Sequence, residues 1–339
     1  ISWHDPMNNL RRRFLSGLVF GFVVLLGLVL VGDVRQVGSH LASFNGWYIP
    51  AILAGTLFNY LLRFIKWHYY LGQIGVRDLS IPESARLFVA GFPLAVTPGK
   101  VGEALKGVWL NHVTGIPIAR GVTVVLAERI SDGLAVLILS TMGVIAYPQY
   151  WPAFAFVLGS LLLIVILSQI RPLALSFLNF FERFKKIRKF VRPLYEFYEG
   201  AHILFRPGAT ITAVSLGTFA WLGEGVAMYL VLLGLCIPKG WETFSLAVFI
   251  LSFSTVIGAV SALPGGLGAA EASIAGMLTL LMGLTKGVAA AATLLIRFAT
   301  LWFGVVLGLV VWAFSRHLLT LEPQPQQQVG GEPRERDEL

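Results

Sequence analysis

Long apolar runs with few polar interruptions organise this chain. Phe14–Gly32 is free of charge, and Thr243–Ala270 is longer still. Each reaches the roughly 18–20 residues that an α-helix needs to cross about 30 Å of hydrocarbon. The same hydropathy pattern predicts membrane helices over 14–32, 47–71, 118–147, 152–170, 208–235 and 286–315. Two further apolar stretches, 84–111 and 243–282, are interrupted. The first holds Pro98-Gly99-Lys100-Val101-Gly102-Glu103; the second holds Pro264-Gly265-Gly266-Leu267-Gly268, with Glu271 just beyond. Hydrocarbon offers no partner to an opened backbone, so such a break lines a cavity or is sealed by protein. Two breaks in corresponding halves point to a transporter built from repeats. The expected fold class is all-α: a polytopic membrane protein with about six full spans, two broken or re-entrant helical hairpins and an inverted repeat.

Composition agrees, with 56% hydrophobic and 13% charged residues. Arg11–Arg13 before the first run resemble the start of a signal peptide. No small-residue cleavage site follows, so the run is expected to remain as a first helix. The lone Cys236 excludes an intrachain disulfide and a cysteine metal cluster. His40, His68, His112 and His202 lack metal-ligand spacing, no Ser/His/Asp order emerges, and no nucleotide-binding motif is present. No cofactor is therefore implied. The net charge of +8 comes from basic residues flanking the spans, which suits anionic lipid and excludes nucleic acid as the expected partner.

Those flanking charges also divide the chain. Residues 1–13 form an N-terminal segment, 14–170 a first membrane repeat, 171–207 a basic connector, 208–320 a second repeat and 321–339 a polar tail expected to be disordered. The tail's final Arg336-Asp337-Glu338-Leu339 resembles a retrieval signal only by chance. Within the connector, Phe177, Phe180, Phe181, Phe184, Ile187, Phe190 and Val191 recur at helical spacing among many Lys and Arg. This describes an amphipathic helix on an anionic lipid surface, ended by Pro193; an ordinary positive-inside connector is the plainer alternative. The positive-inside rule places 1–13 and 171–207 in the cytoplasm, with both termini inside a cell (inner) membrane. Tyr147, Tyr150, Trp151, Cys236, Lys239 and Trp241 then fall at the opposite interface.

Internal duplication extends beyond the breaks. Gly55-Thr56 matches Gly217-Thr218 and Leu71-Gly72 matches Leu233-Gly234, both at one offset along the chain. Further on, Glu103 matches Glu271, Gly115 matches Gly283 and Arg129 matches Arg297, all three at a second common offset. Gly17-xxx-Gly21 and Gly304-xxx-Gly308 read as helix-packing sites.

An ionised side chain at mid-membrane costs about 2.5–3.5 kcal/mol on insertion scales, so intramembrane charge demands a reason. Arg63 and Lys66 lie near a helix end and are expected to snorkel to headgroups. Glu128, Arg129 and Asp132 share one helix, where Arg129 and Asp132 are spaced to pair. Glu224 is isolated. Glu271 and Arg297, with Glu103 and Arg129 as repeat equivalents, are expected to converge around a bound anion, with internal glue as the competing reading. Arginine's planar fork suits a phosphate, and helix N-termini after each break also favour an anion. The candidate substrate-binding set is Gly99, Lys100, Gly102, Glu103, Glu128, Arg129, Asp132, Glu224, Gly265, Gly266, Gly268, Glu271 and Arg297.

The stretches "TPGKVGEALK" at 97–106, "AERISDGLAVL" at 127–137 and "LPGGLGAAEA" at 263–272 resemble the lysylphosphatidylglycerol synthase transmembrane-region family over roughly residues 10–320. The resemblance implies a flippase-like protein moving a modified phospholipid, a polyprenyl-linked lipid or a hopanoid lipid. It places Gly99, Gly102, Glu103, Glu128, Arg129, Asp132, Pro264, Gly265, Gly266, Gly268 and Glu271 on motif positions. No soluble domain follows residue 315 in this sequence, so any lipid-modifying synthase is expected to be a separate partner. The function expected is translocation of a phosphate-bearing lipid between leaflets, without enzymatic activity. Its rivals are an intramembrane enzyme on the same headgroups and a non-transporting assembly partner of a synthase.

Overall fold

The computed structural model describes residues 6–97, 102–144, 149, 151–172, 174, 176 and 188–315, the side chains of 6–14 and 188–190 excepted. Gly99 and Lys100, residues 177–187 of the basic connector, Tyr147, Tyr150 and the 321–339 tail lie outside the described residues. Every described element is helical. In order these are α1 (Pro6–Val31), α2 (Val34–Ala42), α3 (Ile49–Gln73), α4 (Ile81–Ala90), α5 (Leu105–Thr114), α6 (Ile118–Val144), α7 (Trp151–Gln169), α8 (Arg188–Leu204), α9 (Pro207–Gly234), α10 (Trp241–Val260), α11 (Ala269–Met282), α12 (Lys286–Arg297) and α13 (Phe303–Phe314). A π-helical turn, Phe298–Trp302, joins α12 to α13.

Among the described residues, six helical stretches are long and apolar enough to cross a membrane: 46–73, 151–169, 207–234, 241–260, 264–282 and 286–314. A seventh candidate, α1, bends by 95° into α2, whose N-terminus is capped by the Asp33 side chain. At 27 residues α6 has the length as well, but it carries Arg120, Glu128, Arg129 and Asp132.

Equivalent helices of the two halves run in opposite directions. Gly55 of α3 lies against the Gly223 carbonyl of α9, while Lys66, further along α3, reaches Gly217, earlier in α9. Their C-terminal caps are copies. Ile74, Gly75 and Val76 donate to Tyr70, Gly72 and Leu71; Leu235, Cys236 and Ile237 donate to Val231, Leu233 and Leu232. Gly75 and Cys236 both take positive φ. These caps pair Ile74 with Leu235, a register one position tighter than that of the matched dipeptides. Later in the repeats, Gly115 and Gly283 end α5 and α11 in the same left-handed conformation.

The interrupted segments fold back on themselves as hairpins. In the first, Gly91 beyond α4 lies on Lys106 of α5; in the second, Ser254 of α10 bonds Ser273 of α11 and Gly258 meets Ala270. α4 and α5 have 10 residues each, about 15 Å at the helical rise and half of what crossing requires. The hairpins enter from opposite faces, and their tips meet inside the bundle, where Gly265 touches Val96 and the Ala95 carbonyl. Here Gly266 has φ +67 and lies against the Gly258 backbone, so a side chain is excluded on both counts. α1 covers the junction: Gly17 presses on the Val96 carbonyl and Gly21 on Trp302. Gly304 and Gly308 likewise admit Tyr60 and Pro93. All four of these spaced glycines are close-packing positions.

Pro193 does not end a helix. It lies inside α8, which continues through it to Leu204. Ion pairs Arg120–Glu196 and Arg171–Glu199 fasten α8 to α6 and to the end of α7.

The N-termini of α3, α7 and α10 and the C-terminus of α9 gather on one face, where Trp47, Trp151, Trp241 and Cys236 are exposed. α8 lies at the other. Cys236, and a cysteine replacing Arg192 in a Cys236→Ala background, are therefore predicted to react with membrane-impermeant maleimide from opposite sides. Labelling of both from one side contradicts the inverted arrangement.

Candidate functional site

Where the hairpin tips meet, the second break leaves backbone groups without helical partners, and one ion pair takes up two of them. Arg297, at the end of α12, donates from Nε to Glu271 Oε1 at 2.6 Å and from Nη2 to the Gly265 carbonyl at 3.2 Å. The other Glu271 oxygen accepts from the Gly268 N–H at 2.6 Å. That N–H is thus not available to an outside anion, contrary to the expectation from the helix N-terminus. In the first half, Arg129 meets Glu103 Oε2 through Nε at 3.0 Å, and the Gly102 N–H is taken by Thr97 Oγ1. Both arginines pair with the glutamate that the repeat offset assigns to them. The two differ in access: the Arg129 side chain is 35% exposed and that of Arg297 12%.

Between these pairs runs a buried charged layer whose cations were not in the candidate set. Lys106 of α5 reaches Glu128 at 2.8 Å and lies 4.0 Å from the Trp67 ring centre. Lys66 of α3 is fully buried and bonds Asp132 at 2.5 Å and Ser131 at 3.1 Å. Arg63 stands 3.5 Å from the other Asp132 oxygen and 5.9 Å from the Trp221 ring centre. Arg63 and Lys66 therefore do not snorkel. Asp132 takes its contacts from α3 rather than from Arg129 on its own helix. Apolar flanking had hidden this, because the partners come from helices distant in sequence. Spacing along α3 held the signal: Asn59, Arg63, Lys66 and Tyr70 recur every three or four residues and share one face with buried Thr56.

Glu224 of α9 is buried and has no ion pair or hydrogen bond among the described residues. The charges that act on it are Arg63, Arg297 and Asp132. Alternating charges thus link the two halves: Glu103, Arg129, Asp132, Arg63, Glu224, Arg297 and Glu271. Gly265, Gly266 and Gly268 build the break beside this chain of charges.

Residues 18–308 match the lysylphosphatidylglycerol synthase TM region family. The chain belongs to that family. It is also similar to a UPF0104 membrane protein of Methanothermobacter thermautotrophicus, with 27% identity over 90% of this chain and 93% of the relative. As a member, it is a multi-pass membrane protein connected with lipid metabolism or translocation.

Breaking a buried pair leaves an uncompensated charge, worth about 3–5 kcal/mol, whereas replacing both partners is far milder. Lys106→Met is accordingly predicted to destabilise the family member strongly, and Lys106→Met with Glu128→Gln to recover most of the loss. Additive losses in thermal unfolding contradict the pairing.

Proposed function

We propose that the protein moves a phosphate-bearing lipid between the two leaflets of a membrane, with no chemical conversion of it. The observation that carries this reading is the placement of two arginine–glutamate pairs beside broken hairpins that enter from opposite faces and meet tip to tip. An anionic headgroup needs a polar path through hydrocarbon, and arginine supplies a planar fork matched to phosphate oxygens. Arg129, the more open of the two, is the first contact. Arg297 fixes the tip and supplies positive field behind it. The headgroup follows the charged layer while its acyl or prenyl chains remain in lipid, along apolar surfaces such as the exposed Phe156, Leu163 and Ile166 of α7.

The family name motivates the substrate class: an aminoacyl-phospholipid, with polyprenyl-linked and hopanoid lipids as further members carrying a comparable polar head. A separate lipid-modifying synthase is the partner that would supply such a molecule. Positive charge near α8 favours placing that face in the cytoplasm of a cell membrane. The basic connector that includes α8 then lies against anionic lipid.

The test is headgroup exposure in reconstituted vesicles, with thermal unfolding alongside. Arg129→Lys keeps the charge but loses the fork, and is expected to slow translocation at little cost in stability; Arg129→Gln slows it further. Arg297→Lys is expected to lose translocation and stability together, because Glu271 and the Gly265 carbonyl both depend on its geometry. Wild-type translocation rates in Arg129→Gln and Arg297→Lys would return these charges to structural glue.

A further inference from the structure

Among the described residues, Glu224 is the one carboxylate of the buried layer without a cation in contact. Its residue is 5% exposed, in a helix packed between α3 and α10. Glu103, Glu128, Asp132 and Glu271 each touch an arginine or lysine. The layer's described charges balance: Arg63, Lys66, Lys106, Arg129 and Arg297 against Glu103, Glu128, Asp132, Glu224 and Glu271, five of each. Among the described residues, then, no surplus positive charge faces an entering anion. Protonating any carboxylate supplies the missing positive charge, and only at Glu224 does this break no contact.

The surroundings suit a group that changes charge. Arg63 is loosely held: its Nε is buried without a hydrogen bond, and the nearer claim on Asp132 belongs to Lys66. One turn before it, both amide atoms of Asn59 are buried and unpartnered, as is Trp221 Nε1, one turn before Glu224. Ionisable side chains held inside membrane spans, as Glu224 and Arg63 are, mark proton and ion pathways. The groups facing Glu224 are few. α3 offers Arg63 and Tyr60, the latter bonded to the Thr300 carbonyl; α6 offers Asp132 and α12 offers Arg297. Glu242 in the first turn of α10, Tyr48 in the turn before α3 and Tyr229 of α9 itself are the other titratable groups toward the far face. The α8 carboxylates Glu196 and Glu199 are paired with Arg120 and Arg171.

We infer that Glu224 is a proton-binding site that loads together with the anionic headgroup, making the protein a proton–anion symporter. The carboxylate takes one proton from water and becomes a neutral acid; no other bond forms or breaks. The layer then carries one net positive charge, centred on the loosely held Arg63, and this charge holds the phosphate while Arg297 stays on Glu271. Loss of the proton restores the balance and releases the anion. The coupling rests on the translocation reading above; the proton site does not.

Two measurements separate them. In infrared difference spectra of the purified protein between acid and alkaline pH, one carbonyl band of a protonated carboxylic acid is expected to disappear in Glu224→Gln. It is expected to remain, shifted, in Glu224→Asp, which also serves if the glutamine variant fails to fold. A spectrum unchanged by both substitutions overturns the proton site. In phosphatidylcholine vesicles carrying a trace of fluorescent phosphatidylglycerol, acid on the loading side is expected to speed translocation roughly tenfold, an ordinary coupling magnitude. Glu224→Gln is expected to lose that response; an equal response in the variant overturns the coupling. A wild type that moves no lipid under any gradient removes the translocation reading, while the infrared band still decides whether Glu224 takes a proton.

Discussion

Arg297 makes the contact on which the rest of the architecture depends. An opened helix inside a bilayer exposes backbone groups that hydrocarbon cannot satisfy, each at a cost of several kcal/mol. Here the Gly265 carbonyl is closed by Arg297, and the Gly268 N–H by the glutamate that Arg297 holds. With these groups satisfied, the second hairpin can end inside the bundle and meet the first at Val96. Gly17, Gly21 and Gly266 are required where the tips and α1 converge, because an added carbon would press on the Val96 carbonyl, the Trp302 ring and the Gly258 backbone.

Duplication then accounts for the arrangement of charge. Two antiparallel copies bring Glu103–Arg129 and Glu271–Arg297 to corresponding places, yet the copies have diverged. The second pair is committed to backbone; the first is more open. The layer between them is one-sided, built by α3, α5 and α6 of the first half with Glu224 as the contribution of α9. Divergence of this kind separates the two pairs: one closes the hairpin tip, and the other leaves its arginine more accessible.

Much of this was legible in the chain. Hydropathy placed the helices 47–71, 152–170, 208–235 and 286–315 close to their observed ends, because nothing but apolar length defines them. The Pro-Gly breaks and the common offset of Glu103 and Arg129 from Glu271 and Arg297 found the two ion pairs. The roles of Arg63, Lys66 and Lys106 were not legible, since a cation near an apparent helix end reads the same whether it snorkels or pairs inward. Their partners, Asp132 and Glu128, lie on a different helix, well separated along the chain. Pro193 misled because a proline is not by itself a helix end: α8 runs through it to Leu204. Gly99 and Lys100, between Thr97 and Gly102 at the first tip, lie outside the described residues.

The claim that these charges exist to hold an anionic lipid is tested most directly by what the protein retains on purification. Native mass spectrometry of the detergent-solubilised protein is predicted to find a phosphate-bearing lipid bound to the wild type and lost from the folded Arg129→Gln variant. Retention of the same lipid by both, or a wild type carrying only neutral lipid, would contradict the account.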